Sequence, residues 1–144
     1  MSSTVYALPV PRGVVGVLWV DEGSRVLLTL LILPPEAGCW SIVGAKLDYL
    51  ESLELCAVRE AREKVGVEIV IRSLLCVTEY RLPAEQQHWI SPAFLAQVLC
   101  GTPSNCEPGK TLAVRWFPLA ALPPNLTMTA RNAIEAYKRS SNPL

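Results

Sequence analysis

The fold is decided by residues 44–67, which read GAKLDYLESLELCAVREAREKVGV. Residues three and four apart share one face of an α-helix. At that spacing the stretch divides into a charged side, with Glu60, Glu63 and Lys64, and an apolar side, with Leu53, Ala57, Ala61 and Val65. We therefore predict a helix from the N-cap residue Ser52 to Val65, with Gly66 in the left-handed conformation that ends many helices.

A glycine-containing loop precedes this helix and ends at Glu51. Such a loop and helix could hold a metal ion and a diphosphate, because carboxylates bind hard cations that in turn neutralise phosphate oxygens. Two simpler readings stay open. In the first, Glu51 stabilises the helix by interacting with the positive N-terminal end of its dipole. In the second, Glu60 forms an ion pair with Lys64 on a solvated helix face.

The length and the net charge of the chain limit its number of domains and the type of ligand it is expected to bind. The chain has 144 residues and a formal net charge of zero, from 13 basic and 13 acidic residues. We predict one domain over residues 1–144, with a core from about residue 13 to about residue 139. The balanced charge offers no broad basic surface to a long nucleic acid, which leaves a small charged ligand as the expected partner.

Neither a membrane span nor a disulfide framework is expected. The longest apolar run, Val26 to Leu33, is far shorter than a bilayer and stops at two prolines. The first ten residues lack the basic and apolar segments of a secretory signal, so we expect a cytoplasmic protein without a membrane partner. The five cysteines contain no C-x-x-C pair, which indicates reduced thiols rather than a zinc site.

The remaining chain predicts strands around the central helix. Runs rich in β-branched residues predict strands at 13–20, 25–33, 39–43, 67–82, 88–100 and 115–117. The first two are predicted to form a hairpin. The fourth is long enough to need a bend or bulge, and Pro92 gives the fifth an edge position or a bulge. A last helix from Thr127 or Thr129 to Arg139 completes an α/β protein whose mixed sheet is covered on both faces.

The central stretch resembles the Nudix box of MutT-like hydrolases, whose pattern is G-x5-E-x7-R-E-U-x-E-E-x-G-U, with U an aliphatic residue. Six positions match at the right spacing: Glu51, Arg59, Glu60, Glu63, Gly66 and Val67. The sequence around His88, the loop that ends at Lys110 and the segment from Arg115 to Leu119 also look like the nucleotide-directed branch of this family. The resemblance extends from about Gly13 to Tyr137.

The resemblance implies a fold, an α/β/α sandwich, together with an activity and a cofactor. The expected reaction is hydrolysis of a diphosphate bond in a nucleoside triphosphate or a nucleoside diphosphate derivative, with Mg²⁺ or alternatively Mn²⁺. By resemblance, Arg59 orients the box carboxylates, and Glu60 and Glu63 act as metal ligands and catalytic residues. Lys46 is a candidate phosphate contact. Many relatives form homodimers, although no residue of the sequence marks an interface.

The sequence departs from the pattern at Ala45, where the box begins with glycine, and at Lys64, where it has a second glutamate. Leu50 and Val43 replace a glycine and a proline that are common there. An ammonium group in place of a ligand carboxylate is expected to weaken at least one metal position. The alternative function is therefore a catalytically impaired Nudix-fold protein that binds nucleotides or regulates a partner.

Several other side chains have two readings each. Glu79 and Glu107 are candidates for an additional metal ligand, or else ordinary exposed residues. His88 is a substrate contact or a hydrogen-bonded strand residue. Three tryptophans, Trp40, Trp89 and Trp116, are read as packing residues in preference to base-stacking platforms.

Overall fold

A computed structural model describes residues 9–140 of the chain. Its strands and helices, in chain order, are β1 Arg12–Trp19, β2 Arg25–Leu31, β3 Trp40–Ser41, β4 Val43–Lys46, α1 Leu53–Val65, β5 Glu68–Leu82, β6 Gln87–Cys100, β7 Thr111–Pro118 and α2 Met128–Ser140. A short 3-10 turn at Pro83–Glu85 connects β5 to β6. Within these described residues, no helix combines the length and the apolar character needed to cross a membrane.

The strands form two sheets. The larger has the order β4-β1-β6-β5, and it is mixed because β1 runs parallel to β6 while its other pairs are antiparallel. The smaller sheet has the order β3-β2-β7 and is antiparallel. The predicted α/β class with a mixed sheet and two helices is thus confirmed.

The two helices cover opposite faces of the sheets. Alternate residues of a strand point to opposite faces, and in β1 Val17 packs in the core under α1 whereas Leu18 packs in the core under α2. The same alternation occurs in β6, where Phe94 joins the first core and Ala93 the second. Two apolar cores therefore lie on either side of the strands.

Both predicted ends of α1 are confirmed. The Ser52 hydroxyl accepts a hydrogen bond of 3.1 Å from the backbone N–H of Leu55, as an N-cap residue does. Gly66 has φ 75°, in the left-handed region, and its N–H bonds to carbonyl oxygens of the last turn. These local contacts fix the helix that carries the box residues.

The hairpin prediction for the first two strands is wrong. A turn does follow β1, since the N–H of Asp21 donates to the carbonyl of Arg25, but a single isolated bridge, Val20 to Val26, then joins the two strands. Both strands are rich in buried residues along their centres. Each is flanked by two other strands in its own sheet, so neither has an edge left for the other.

The sequence predicts a bend or bulge in β5 and either an edge position or a bulge at Pro92 in β6. Strand β5 has register shifts at three places, the last between Leu74 and Cys76, so the predicted interruption by bulges is confirmed. The edge position that Pro92 predicted for β6 is wrong, because β6 lies between β1 and β5. Pro92 pairs with Val77 of β5, and the pairing with β1 passes from Ile90 to Ala93 without including it. A proline without an N–H is accommodated at this gap.

Candidate functional site

A cleft of about 600 Å³ opens beside the N-terminal loop of α1. Its lining comes from both sheets, from α1 and from the start of α2. Three residues of α1 line it, namely Arg59, Glu63 and Lys64. The sequence order places these residues far from the strand and loop residues that complete the wall, and only folding brings them together.

Arg59 is the centre of a hydrogen-bond network at this cleft. Its guanidinium donates to both carboxylate oxygens of Glu51, at 2.7 and 2.9 Å, to Glu63 at 2.9 Å and to the carbonyl of Lys46 at 3.1 Å. A longer ion-pair contact, at 3.6 Å, is made with Asp48. The network ties the loop before α1 to the middle of that helix, which is the orienting position that the resemblance implies for Arg59.

The Glu51 carboxylate is fixed by this contact. Hydrogen bonds from Arg59, together with the N–H of Asp48 at 3.1 Å, lower the pKa of Glu51 to about 2 from its ordinary value of 4.5. Glu51 is therefore an anion throughout the neutral range. Its interaction is with Arg59 rather than with the helix dipole alone.

Glu60, the next residue after Arg59, has the opposite surroundings. Its side chain is fully buried, and neither carboxylate oxygen has a hydrogen-bond partner. Burial raises the pKa of Glu60 well above its ordinary value, against the opposing effects of the Lys64 charge and the Ala45 backbone amide. The amide of Ala45 is close enough to influence the carboxylate, but it does not meet the geometry of a hydrogen bond. The expected solvated ion pair between Glu60 and Lys64 is absent from the described residues.

Lys64 bonds instead to a residue far along the chain. Its Nζ lies 2.8 Å from Oε1 of Glu107, in the loop between β6 and β7, and both side chains are largely shielded, with 20% and 28% of their surface exposed. This contact lowers the pKa of Glu107. Glu107, one of the two candidates for an additional metal ligand, is thus already paired with Lys64, the residue that departs from the box pattern.

A different cation, Lys46, lies beside an aromatic ring of the cleft. Lys46 lines the cleft, and its Nζ lies 5.7 Å from the ring centroid of Trp89. Trp89 also lines the cleft, together with Tyr80, whose ring centroid is 6.5 Å away. Two aromatic rings and an ammonium group in one wall can accommodate a flat, anionic ligand.

Hydroxyl groups form another part of the lining. Thr127 donates to Ser41 at 2.9 Å and accepts from the N–H of Ala130 at 3.2 Å, at the start of α2. Thr29 and Ser91 are also buried and line the cleft. A hydroxyl both donates and accepts, so this wall can bond to neutral polar groups of a ligand.

His88 and Glu79 lie together and are not among the residues that line this cleft. His88 Nε2 is 2.5 Å from a Glu79 carboxylate oxygen, and the pair bridges β5 and β6. His88 lines two smaller cavities of about 300 Å³ beside Pro9 and Val10. His88 is thus a hydrogen-bonded strand residue, and one of its two cavities shares the lining residues Lys46 and Trp89 with the larger cleft.

This sequence and fold are similar to those of known proteins. The model of the NUDIX domain matches residues 10–137. The chain belongs to the Nudix family. A solved MutT NUDIX hydrolase from Burkholderia pseudomallei is 39% identical, with a TM-score of 0.82 over 88% of this chain and 97% of that one.

Curated relatives of this Nudix domain differ in what they act on. The NAD-capped RNA hydrolase NudC of Pseudomonas aeruginosa is 31% identical over 127 residues, which is 84% of this chain and 42% of that protein. The ADP-ribose pyrophosphatase of Methanocaldococcus jannaschii is 27% identical over 123 residues, 85% of this chain and 71% of that protein. The chain thus spans less than half the length of the NudC relative that it matches.

Nudix enzymes typically depend on a divalent metal, and the residues of this Nudix domain provide a limited set of ligands. Among residues 9–140, no group of three histidine, cysteine or acidic side chains is arranged to hold an ion. The two unpartnered oxygens of Glu60 nevertheless fit a cation, because a buried carboxylate without a hydrogen bond needs a positive partner. Glu63, one turn along α1 and half-exposed, is the neighbouring carboxylate. The site of this Nudix domain fits an ion held by few protein ligands.

Sequence reasoning missed part of this site. Lys110 lines the cleft, whereas the sequence marks it only as the end of a loop that resembles the family. The sequence favours a packing role for Trp89, which is buried with 8% of its surface exposed and also lines the cleft. No local signal marks the hydroxyl wall, because Ser41, Ser91 and Thr127 come from three separate parts of the chain.

Proposed function

We propose that this protein is a Nudix-type pyrophosphohydrolase that cleaves a diphosphate bond in a nucleoside triphosphate or a nucleoside diphosphate derivative. The observation that carries the proposal is that the box residues Arg59 and Glu63 line the same cleft as Lys46 and Trp89. Similarity to a MutT NUDIX hydrolase, a NudC enzyme and an ADP-ribose pyrophosphatase supports the reaction class. A base and a phosphate chain need the aromatic and charged walls that this cleft combines.

The proposed cofactor is Mg²⁺, with Mn²⁺ as an alternative, and Glu60 and Glu63 are the residues that would hold it. Their carboxylate oxygens are the ligand type that such hard cations prefer. When bound, the ion neutralises phosphate oxygens and lowers the pKa of the attacking water. The unpartnered Glu60 oxygens support this assignment.

The side chains around the ion have distinct proposed roles. Arg59 is a positioning residue, because its hydrogen bonds hold Glu51 and Glu63 in place. Water adds to one phosphorus, the bridging P–O bond breaks with its electron pair leaving on the departing phosphate, and Glu63, which lines the cleft, accepts the proton that the water releases. Lys46 binds the phosphate chain.

A second candidate function is nucleotide binding without turnover. The observation that favours it is the ion pair between Lys64 and Glu107, which engages a candidate ligand and adds a positive charge beside Glu60. In that case the protein would bind a nucleotide or regulate a partner, and the lysine would provide the counter-charge for phosphate. The two candidates make opposite predictions for turnover.

The experiment is a panel of nucleoside triphosphates, ADP-ribose, NAD and related diphosphates, each incubated with Mg²⁺ or Mn²⁺. Release of phosphate, pyrophosphate or a nucleoside monophosphate is followed by chromatography. We expect turnover of at least one compound, with loss of about 100-fold or more in Glu63→Gln, as for removal of a group that stabilises charge in the transition state. The matched control is Glu54→Gln, an exposed residue in the first turn of α1. Nucleotide binding without turnover of any compound would refute the enzyme.

A further inference from the structure

Lysines are concentrated at the cleft. The chain has four lysines, and three of them, Lys46, Lys64 and Lys110, line this one cavity. The fourth, Lys138, is exposed in the last turn of α2. Most of the chain's ammonium groups are thus placed at the cleft where the phosphate chain would lie, although acidic side chains also line it.

The carboxylates of the cleft are already engaged. Glu63 and Asp48 contact Arg59, Glu107 contacts Lys64, and Glu36 accepts a hydrogen bond of 3.1 Å from the N–H of Met128. Arg59 is also engaged, with its donors directed to Glu51, Glu63 and a backbone carbonyl. Within residues 9–140, neither Lys46 nor Lys110 has a carboxylate within ion-pair distance.

The loop between β6 and β7 is fixed against the end of α1. The N–H groups of Ser104 and Cys106 donate to the carbonyls of Val65 and Lys64, each at 3.0 Å. The Asn105 side chain donates to the Thr111 carbonyl at 2.7 Å and accepts from the N–H of Glu107 at 3.1 Å. The loop therefore holds Glu107, and through it the Lys64 ammonium, at a defined place in the wall.

The Lys64 ammonium has capacity for a ligand. It carries three N–H donors, and one is directed to Glu107. Lys64 lies in the cleft wall one residue after Glu63, at the position where the box pattern has a carboxylate. A positive side chain at this position attracts a phosphate oxygen, whereas a carboxylate would repel it.

We propose that Lys64 and Lys110 bind phosphate oxygens of the substrate directly, with Glu107 positioning Lys64, so that the phosphate chain binds in the absence of a divalent ion. This inference deepens the proposed function, since it assigns the diphosphate subsite of the same cleft. It concerns binding, whereas the proposed function concerns turnover. Failure of either one leaves the other measurable.

The first test uses the wild-type protein with inorganic pyrophosphate in EDTA. An amine-specific acetylating reagent is added at low dose, and the modification of each lysine is followed by peptide mass spectrometry. We expect pyrophosphate to slow acetylation of Lys64 and Lys110 about fivefold or more, as expected for donors engaged by a bound anion. Lys138 serves as the internal control and is expected to react at an unchanged rate.

The second test measures pyrophosphate affinity by calorimetry, again in EDTA. The double variant Lys64→Met/Glu107→Gln removes the ion pair without leaving an unpaired carboxylate in the cleft. We expect it to weaken pyrophosphate binding about tenfold, the loss of one charge-assisted hydrogen bond. Lys64→Arg, which keeps the charge, is expected to retain affinity within about threefold, and Lys138→Met to match wild type.

Equal pyrophosphate affinity in the double variant and wild type would overturn the proposal. So would acetylation of Lys64 that pyrophosphate does not slow. If the double variant fails to fold, as judged by circular dichroism, the acetylation of the wild-type protein decides alone. Hydrolysis with Mg²⁺ is measured separately, so an active enzyme that binds no pyrophosphate in EDTA would refute this inference and leave the proposed reaction intact.

Discussion

Arg59 donates two hydrogen bonds, of 2.7 and 2.9 Å, to the carboxylate of Glu51 eight residues earlier in the chain. The contact keeps the pKa of Glu51 near 2, below the ordinary value of 4.5. A carboxyl group whose pKa is lower in the folded state stabilises that state above its unfolded pKa. This stabilisation is lost as the pH falls from about 4.5 to about 2.

The prediction concerns acid unfolding of Glu51→Gln. Wild type should lose stability between pH 4.5 and pH 2 more steeply than this variant, because the variant has no carboxylate to protonate there. Urea unfolding at several pH values, followed by tryptophan fluorescence, measures the slopes. Glu54→Gln is the control and should keep the wild-type slope. Equal slopes in wild type and Glu51→Gln would show that the Arg59 contact does not stabilise the fold.

A second prediction follows from the buried, unpartnered carboxylate of Glu60. In EDTA, Glu60→Gln should increase the free energy of unfolding by about 1–3 kcal/mol, because an amide is cheaper to bury than an ionised carboxylate. Thermal unfolding with and without Mg²⁺ measures this. Mg²⁺ should raise the midpoint of wild type and leave that of Glu60→Gln unchanged. An equal Mg²⁺ response in both proteins would place the ion elsewhere.

A third prediction exchanges the charges of Lys64 and Glu107, which lie 2.8 Å apart. Lys64→Glu alone should lower the free energy of unfolding in EDTA by about 1–3 kcal/mol, since it sets one carboxylate against another. Adding Glu107→Lys should restore most of that loss. Urea unfolding of the two single variants and the double variant gives the coupling energy. A double variant no more stable than Lys64→Glu would show that the two side chains do not interact in solution.

The same Lys64→Glu variant tests whether the lysine limits metal binding. It places a carboxylate beside Glu60 and Glu63, which should tighten Mn²⁺ binding about tenfold or more, since a ligand replaces a like charge. Electron paramagnetic resonance of free Mn²⁺ gives the affinity without any substrate. Mn²⁺ affinity equal to that of wild type would mean that residue 64 does not face the ion.

The fifth prediction separates base recognition from phosphate recognition. Trp89 lines the cleft beside Lys46, so Trp89→Leu should raise the KM for a nucleotide about fivefold or more, the loss of a base–aromatic contact. Trp89→Phe keeps a ring and should have a smaller effect. Pyrophosphate affinity should be unchanged in both variants. A parallel loss of nucleotide and pyrophosphate affinity would indicate disturbed packing, since Trp89 is 8% exposed.

Local features of the sequence predicted local structure well. The spacing of apolar residues, Ser52 and Gly66 together predict α1 and both its ends, because helix periodicity and capping depend on neighbours within a few residues. The hairpin prediction is wrong because β1 and β2 are both buried enough to be internal strands, each in its own sheet. The turn between them does not decide which strands they pair with. The edge position predicted from Pro92 is wrong for a related reason, since the gap that accommodates this proline depends on the pairing of β6 with the distant strand β1.

The sequence by itself determined the Nudix box, since its carboxylates, Arg59 and the helix that carries them are fixed by spacing along one segment. Only the tertiary structure decided the surroundings of those charges. Arg59 makes four hydrogen bonds to oxygen atoms and Glu60 is buried without a partner, although the two are adjacent. Lys64 meets Glu107 across 43 residues of chain. Burial and long-range pairing set the electrostatics of a site, and both arise from packing that no local pattern encodes.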